Sequence, residues 1–354
     1  MKDIILVVGG YGHVGRTICQ ELGTKYPGKV VAAGRSRERA EQFSREMGGK
    51  VRPLRLNLQE PVDSQVLKDV KLVIMCLDQT DTTFVRACLH SGAHYVDVSA
   101  NGQFLLQAER WDDEAKANGG TAVLSVGLAP GLTNLLAAHA VSQLDRTDSI
   151  DIGIMLGMGD QHGQAAIEWT VDHMGQRFEV IENYLRKNVN SFSGGRRTDF
   201  GPLGRKRAYR FPFSDQQTLV RTLEVPTVST RLCFDSAVMT GLLAGLRIIG
   251  VFKLMKWRWA RNLTVRAFSR VHFGEEKFAI KIDAHGRKNG DEVTIQHFLQ
   301  GLHQSVMTAK VAVSVADAMY RKNYPSGVYH MEQLFGLRDI AWLEHETELV
   351  LGDA

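Results

Sequence analysis

The run Ile4-Ile5-Leu6-Val7-Val8 is unbroken apolar sequence of strand length, and Gly10, Gly12 and Gly15 follow it at once in the spacing G-x-G-x-x-G before a helical pattern begins. A strand, a glycine turn and a helix in immediate succession leave few folds open, because this is the context in which the motif binds a dinucleotide. Gly10 permits the tight turn, Gly12 lets the backbone approach a pyrophosphate, and Gly15 lets the helix pack close to the sheet. The first N–H groups of that helix lack intrahelical acceptors and are free for an anion. Gly10, Tyr11, Gly12, His13, Val14 and Gly15 are therefore the expected phosphate-binding residues.

The second strand selects the nucleotide. An NAD-type site places Asp or Glu about 20 residues after the glycines, where it accepts from the ribose 2'-hydroxyl. Here the second strand reads Lys29-Val30-Val31-Ala32-Ala33 and ends in Gly34, and Arg35, Ser36 and Arg37 follow. Removing the carboxylate relieves repulsion of a 2'-phosphate, which Arg35 can hold by charge-assisted hydrogen bonds with one more from Ser36. The expected cofactor is NADP; the competing reading makes Arg35, Arg37 and Arg39 the solvated start of a helix.

Strand and helix patterns then alternate: a helix over 38–47, strands near 51–56 and 72–76, and a helix that Asp81 caps and Gly92 stops. A short strand at 94–96, a helix over 103–118 and a strand at 121–126 follow. Such alternation implies an α/β fold, a Rossmann-type doubly wound parallel sheet covered on both faces. Ligands lie at the carboxyl ends of its strands, which makes Asn57, Leu77 to Gln79, Asp97 to Ser99 and Gly127 to Gly131 candidates, with Asn57, Leu77 and Ser99 expected on the cofactor and Asp97 in catalysis. A chain of 354 residues suits two domains, and the expected division is a nucleotide domain over 1–130 and an α+β substrate and dimerisation domain over 131–305.

Composition excludes several classes. A net charge of +4 is too small to argue for nucleic acid. Cys19, Cys76, Cys88 and Cys233 form no C-x-x-C pair and the histidines show no zinc spacing, so neither a metal nor a disulfide framework is expected, and a reducing cytoplasm is the natural setting. The first apolar run is too short for a signal peptide. Residues 237–255 are strongly apolar, but Arg247 and Lys253 interrupt them and Lys256, Arg258 and Arg261 follow among Trp257 and Trp259. A spanning helix is not expected there; a buried helix or dimer contact is the first reading, and an interfacial helix the second.

The segment Ala87-Cys88-Leu89-His90-Ser91-Gly92-Ala93-His94-Tyr95-Val96-Asp97-Val98-Ser99, with Gly127-Leu128-Ala129-Pro130-Gly131-Leu132-Thr133-Asn134, resembles the saccharopine dehydrogenase-like family. The resemblance covers the first 140 residues and returns at Tyr324-Pro325-Ser326-Gly327-Val328-Tyr329-His330. It implies an NAD(P)-dependent oxidoreductase acting on carbon–nitrogen bonds, with the C-terminal segment 306–354 packing back on the nucleotide domain. Ala129 departs from the family pattern, which has Asp in Gly-Leu-Asp-Pro-Gly, and that puts an amino-acid substrate in doubt.

In the second domain, Gly157 and Gly159 precede Asp160 and His162, and Gly163 follows. An imidazole held in such a segment can give or take the proton that imine reduction or amine oxidation moves at nitrogen, so His162 is the second catalytic candidate; capping of the next helix is the structural alternative. Arg196, Arg197, Arg205, Lys206, Arg207 and Arg210 read as a solvated loop or, alternatively, an anion clamp. The reading as a whole is an enzyme that encloses a small-molecule substrate with its second domain and forms a homodimer. The alternatives are a non-catalytic NADP-binding sensor or scaffold, and a membrane-surface oxidoreductase with a lipid-like substrate.

Overall fold

A computed structural model of the chain describes residues 2–60, 63–160, 164–270 and 274–352. The chain divides into two units, Met1–Leu132 with Ser305–Phe335 and Thr133–Gln304 with Gly336–Ala354. The first begins β1 Ile4–Val8, α1 His13–Lys25, β2 Val30–Gly34, α2 Arg37–Glu46, β3 Val51–Arg55, β4 Val70–Met75, α3 Thr83–His90 and β5 His94–Asp97. It continues through α4 Gly102–Ala108, α5 Asp112–Asn118 and β6 Thr121–Leu124. Helix α6 Leu132–Val141 leads into β7 Arg146–Leu156, α7 Gln164–His173, β8 Arg177–Glu182, β9 Leu185–Asn190, β10 Arg196–Asp199 and β11 Arg205–Arg210. Then come α8 Asp215–Thr222, β12 Val228–Phe234, α9 Ala237–Ile248, α10 Arg258–Arg270, β13 Lys277–Lys288 and β14 Asp291–Leu302. Helix α11 Gln304–Arg321, β15 Gly327–His330 and α12 Met331–Leu334 rejoin the first unit, and α13 Leu343–Glu346 and β16 Glu348–Leu351 the second.

The first unit is a parallel sheet in the order β15-β6-β5-β4-β1-β2-β3. Residues of β1 from Ile5 on, and all of β2 and β6, are buried, as strands covered on both faces must be. Strands β2 and β3 lie to one side of β1, and β4 to β6 to the other. The chain therefore reverses direction across the sheet between β1 and β4, and their carboxyl ends flank the switch point where such sheets take ligands.

The far end of the chain completes this unit. Strand β15 pairs with β6, Gly327 opposite Thr121 and His330 opposite Leu124. Behind the pairing, Ser125 Oγ lies 2.8 Å from His330 Nδ1, and His330 Nε2 lies 3.0 Å from Glu109 Oε1. Helix α11 is tied down by the Tyr26 hydroxyl, which donates to Asp317 at 2.6 Å, and by Lys71, which donates to the Tyr320 carbonyl at 2.7 Å. The single helix expected over 103–118 is instead α4, a 3-10 turn at Glu109–Trp111 and α5. The interruption places Glu109 against His330 and lets Asp112 accept from the Val328 N–H at 2.8 Å. Asp81 accepts the Thr83 N–H at 2.9 Å, but the residue at the cap position of α3 is Thr82.

The second unit holds a mixed sheet, β10-β11-β12-β7-β13-β14-β16, in which β7 and β12 are parallel and the other neighbours antiparallel, with a separate β8–β9 hairpin. Strand β16 covers β14, Leu351 opposite His297, so residues 336–354 belong with this sheet and not with the nucleotide unit as expected. The basic run is not a solvated loop. It is the β10–β11 hairpin, in which Arg196 pairs with Asp151, Arg205 with Asp199 at 3.2 Å and Arg210 with Glu182 at 2.6 Å. Gly153 makes room for it: a Cβ there would stand 2.7 Å from Thr198 and 3.2 Å from Phe200. Phe200, Met155, Cys233, Ala279 and Phe298 form the core beneath.

Candidate nucleotide site

The turn after β1 is built from close backbone approaches. Gly9, not Gly10, carries the left-handed conformation, with φ of 83°. Its carbonyl accepts the Gly12 N–H at 2.8 Å, and a Cβ on Gly15 would fall 2.2 Å from that same oxygen. Gly10 is needed for a different contact, since a Cβ there would meet the Ala32 backbone of β2 at 2.8 Å. Helix α1 starts with Gly12 as its cap, receives no side-chain cap and has no acid in its first turn. Its free N–H groups and the positive end of its dipole thus remain for an anion beside His13, Val14 and Gly15. The cradle fits the pyrophosphate of a dinucleotide.

Across from it, the end of β2 is filled from an unexpected side. The Tyr11 hydroxyl accepts the Ser36 N–H at 2.9 Å, and the Arg39 guanidinium stacks 4.9 Å over the Tyr11 ring. A Cβ at Gly34 would lie 2.4 Å from the Tyr11 hydroxyl. The space that an NAD-type acid occupies belongs here to tyrosine. Ser36 caps α2: its hydroxyl accepts the Arg39 N–H at 3.2 Å and donates to Glu38 at 2.8 Å. Arg35 is exposed and makes no ion pair among the described residues.

At the other strand ends, Leu77 leans on the glycine turn, its Cδ2 2.9 Å from where a Gly9 Cβ would be. Asn57 shapes the turn after β3, donating to Glu60 at 2.9 Å and accepting from the Gln59 N–H at 3.2 Å. Asp97 ends β5 in full burial: one carboxylate oxygen accepts the Tyr95 hydroxyl at 2.5 Å and the other the Ser99 N–H at 2.7 Å. Gln79, another of the strand-end candidates, donates to the Tyr95 hydroxyl at 2.8 Å. Burial raises the Asp97 carboxyl to about 7, against the lowering effect of these two hydrogen bonds. Asp97 thus holds the 97–99 turn in place and can carry a proton near neutral pH. Ala129 lies in the tight turn after β6, where a Cβ on Gly131 would fall 2.0 Å from the Gly127 carbonyl. His162 lies outside the described residues.

Residues 5–124 match the model of the saccharopine dehydrogenase NADP binding domain. That stretch, about a third of the chain, is similar to this domain family. The match indicates NADP as the cofactor of the first unit, and the glycine cradle and the uncapped α1 are the parts of this unit that fit a dinucleotide. Carboxyaminopropylagmatine dehydrogenase from Synechocystis is 24% identical over 245 residues, which are 64% of this chain and 60% of that protein's length. Saccharopine dehydrogenase (L-Glu forming) from Saccharomyces cerevisiae shares the fold, with a TM-score of 0.69 over 98% of this chain and 100% of that one at 12% identity. The α/β architecture expected from the sequence is therefore the one observed, and similarity to dehydrogenases supports an oxidoreductase.

Proposed function

We propose that the protein is an NADP(H)-dependent oxidoreductase that moves a hydride at a carbon–nitrogen or carbonyl carbon of a small molecule. The observation that carries this reading is the cradle of Gly9, Gly12 and Gly15 at the uncapped start of α1, within a saccharopine dehydrogenase-type domain. The nicotinamide, when bound, supplies or takes the hydride.

The chain's own residues do the rest. Tyr11, His13, Val14 and Gly15 present backbone N–H groups to the pyrophosphate, while Gly10 and Gly12, whose N–H groups go to the Ala33 and Gly9 carbonyls, let the backbone come close. Arg35 holds the 2'-phosphate, joined by Ser36 once its hydroxyl leaves Glu38. Leu77 walls the cradle, and Asn57 and Ser99 border it at the neighbouring strand ends. Asp97 is a positioning residue that fixes the Ser99 backbone from a carboxyl titrating near 7. His162 gives or takes the proton at the substrate heteroatom, a role supported by its residue type and its glycine-bounded segment. A homodimer built on the second unit and a cytoplasmic setting complete the reading.

The test is to titrate the purified protein with NADPH and NADH and to follow NADPH oxidation over a panel of imines, ketones and keto acids with amines. Tight NADPH binding with turnover of one class supports the proposal and names the substrate. Stoichiometric binding without oxidation of any of them would leave a nucleotide-binding protein instead.

A further inference from the structure

Residues 237–270 contain seven Lys or Arg and not one Asp or Glu. They form α9, a 3-10 turn at Val251–Lys256, and α10. One face of each helix is packed: Thr240, Leu243 and Ala244 of α9 are buried, as are Ala260 and Val265 of α10, the latter in a cluster with Ile167 and Val171 of α7. Arg261 fixes α10 on α7 through Asp172 at 2.5 Å and Glu168 at 3.3 Å. The other face is bare. Val238 is 83% exposed, Ile249 74%, Trp259 62% and Leu263 61%, with Leu242 and Trp257 also more than half exposed. Nothing stands within 4 Å of where a Cβ of Gly241 or Gly245 would be.

Apolar surface of this size on a water-soluble face marks an interaction site, and the charges say with what. Lys256, Arg258 and Arg266 are exposed among these residues and make no ion pair among the described residues. A second copy docked here about a two-fold axis would set the same cations against one another, because such an interface brings one patch against itself, and the neighbouring acids Asp172 and Glu168 are already taken up by Arg261. An anionic bilayer surface offers both complements at once: acyl chains for the aliphatic ridge, headgroup level for Trp257 and Trp259, and phosphates for the cations. Among the described residues no helix is long and apolar enough to cross a membrane, and α9 has only 12 residues.

We propose that the α9–α10 face is a docking surface for an anionic lipid bilayer, on which the protein lies without spanning it. The proposal is independent of the nucleotide site. It is tested by flotation of the intact protein with vesicles of phosphatidylcholine alone and with about one quarter phosphatidylglycerol. The protein is expected to float with the anionic vesicles, to stay behind with the neutral ones, and to be released by high salt. Trp257→Ser with Trp259→Ser, and separately Arg258→Glu with Arg266→Glu, should each lower binding at least about tenfold while NADPH binding, the check on folding, is unchanged. No flotation with either vesicle would overturn the proposal. So would equal binding of both vesicles, or a wild-type oligomer that the tryptophan variant dissolves while vesicle binding stays absent, since the face would then be a protein contact.

Discussion

The Tyr11 hydroxyl receives the backbone N–H of Ser36 at 2.9 Å, so the residue between the glycines of the first turn also pins the end of the second strand. This makes Gly34 a packing requirement. Gly34→Ala should cost about 1–3 kcal/mol, the usual penalty for overfilling a closed space, and Tyr11→Ala should recover part of it in the double variant. Urea denaturation of the four proteins checks the cycle. For the same reason Gly34→Asp alone should fail to create NADH binding.

Arg35 is the exposed cation at the proposed 2'-phosphate position. Arg35→Ala should weaken NADPH by about 10- to 100-fold, the value of a hydrogen-bonded charge pair, and leave NADH nearly unchanged. Fluorescence titration with both nucleotides decides it; equal losses would remove Arg35 from the phosphate.

A methyl group on Gly15 would collide with the Gly9 carbonyl, which is backbone and cannot swing aside. Gly15→Ala should therefore abolish binding of both nucleotides and lower the thermal midpoint. Retained binding with either nucleotide would show that α1 can shift without harm to the cradle.

Asp97 should impose a pH dependence. Its carboxyl is raised from an ordinary 3.8 to about 7 in the folded chain, so between these values the native state binds the proton that the unfolded state releases. Stability contributed by the neutral carboxyl is complete below pH 3.8 and is lost as pH rises through 7, with a slope approaching about 1.4 kcal/mol per unit. Asp97→Asn should flatten this decline. Denaturation midpoints from acid to neutral pH provide the measurement, and parallel curves for both proteins would mean that Asp97 ionises as an ordinary carboxylate.

What the sequence made legible was local. The buried runs of β1, β2 and β4 and the glycine turn could be read because a strand covered on both faces needs continuous apolar residues and the turn needs glycine. The partnership of Arg196 with Asp151 could not be read, since the two lie 45 residues apart and only the folded sheet brings them together. The same blindness made a loop of the β10–β11 hairpin. Ser36 was read as a phosphate ligand, and the structure shows that it also caps α2, a role that the adjacent arginines had masked. Gly9 was passed over because the motif begins one residue later, although the positive φ falls on it.

The pairing of β6 with β15 has a consequence for how the chain is made. A ribosome that has released residues 1–132 has delivered most of the nucleotide unit, yet the outer side of β6 has no neighbour until residues 327–330 emerge. At about 5–20 residues per second, the roughly 200 intervening residues take some ten seconds or more to synthesise. Throughout that interval β6 is an open template for other strands. Synthesis thus leaves this edge open until β15 arrives, and a truncated nucleotide unit would carry the same exposed edge permanently.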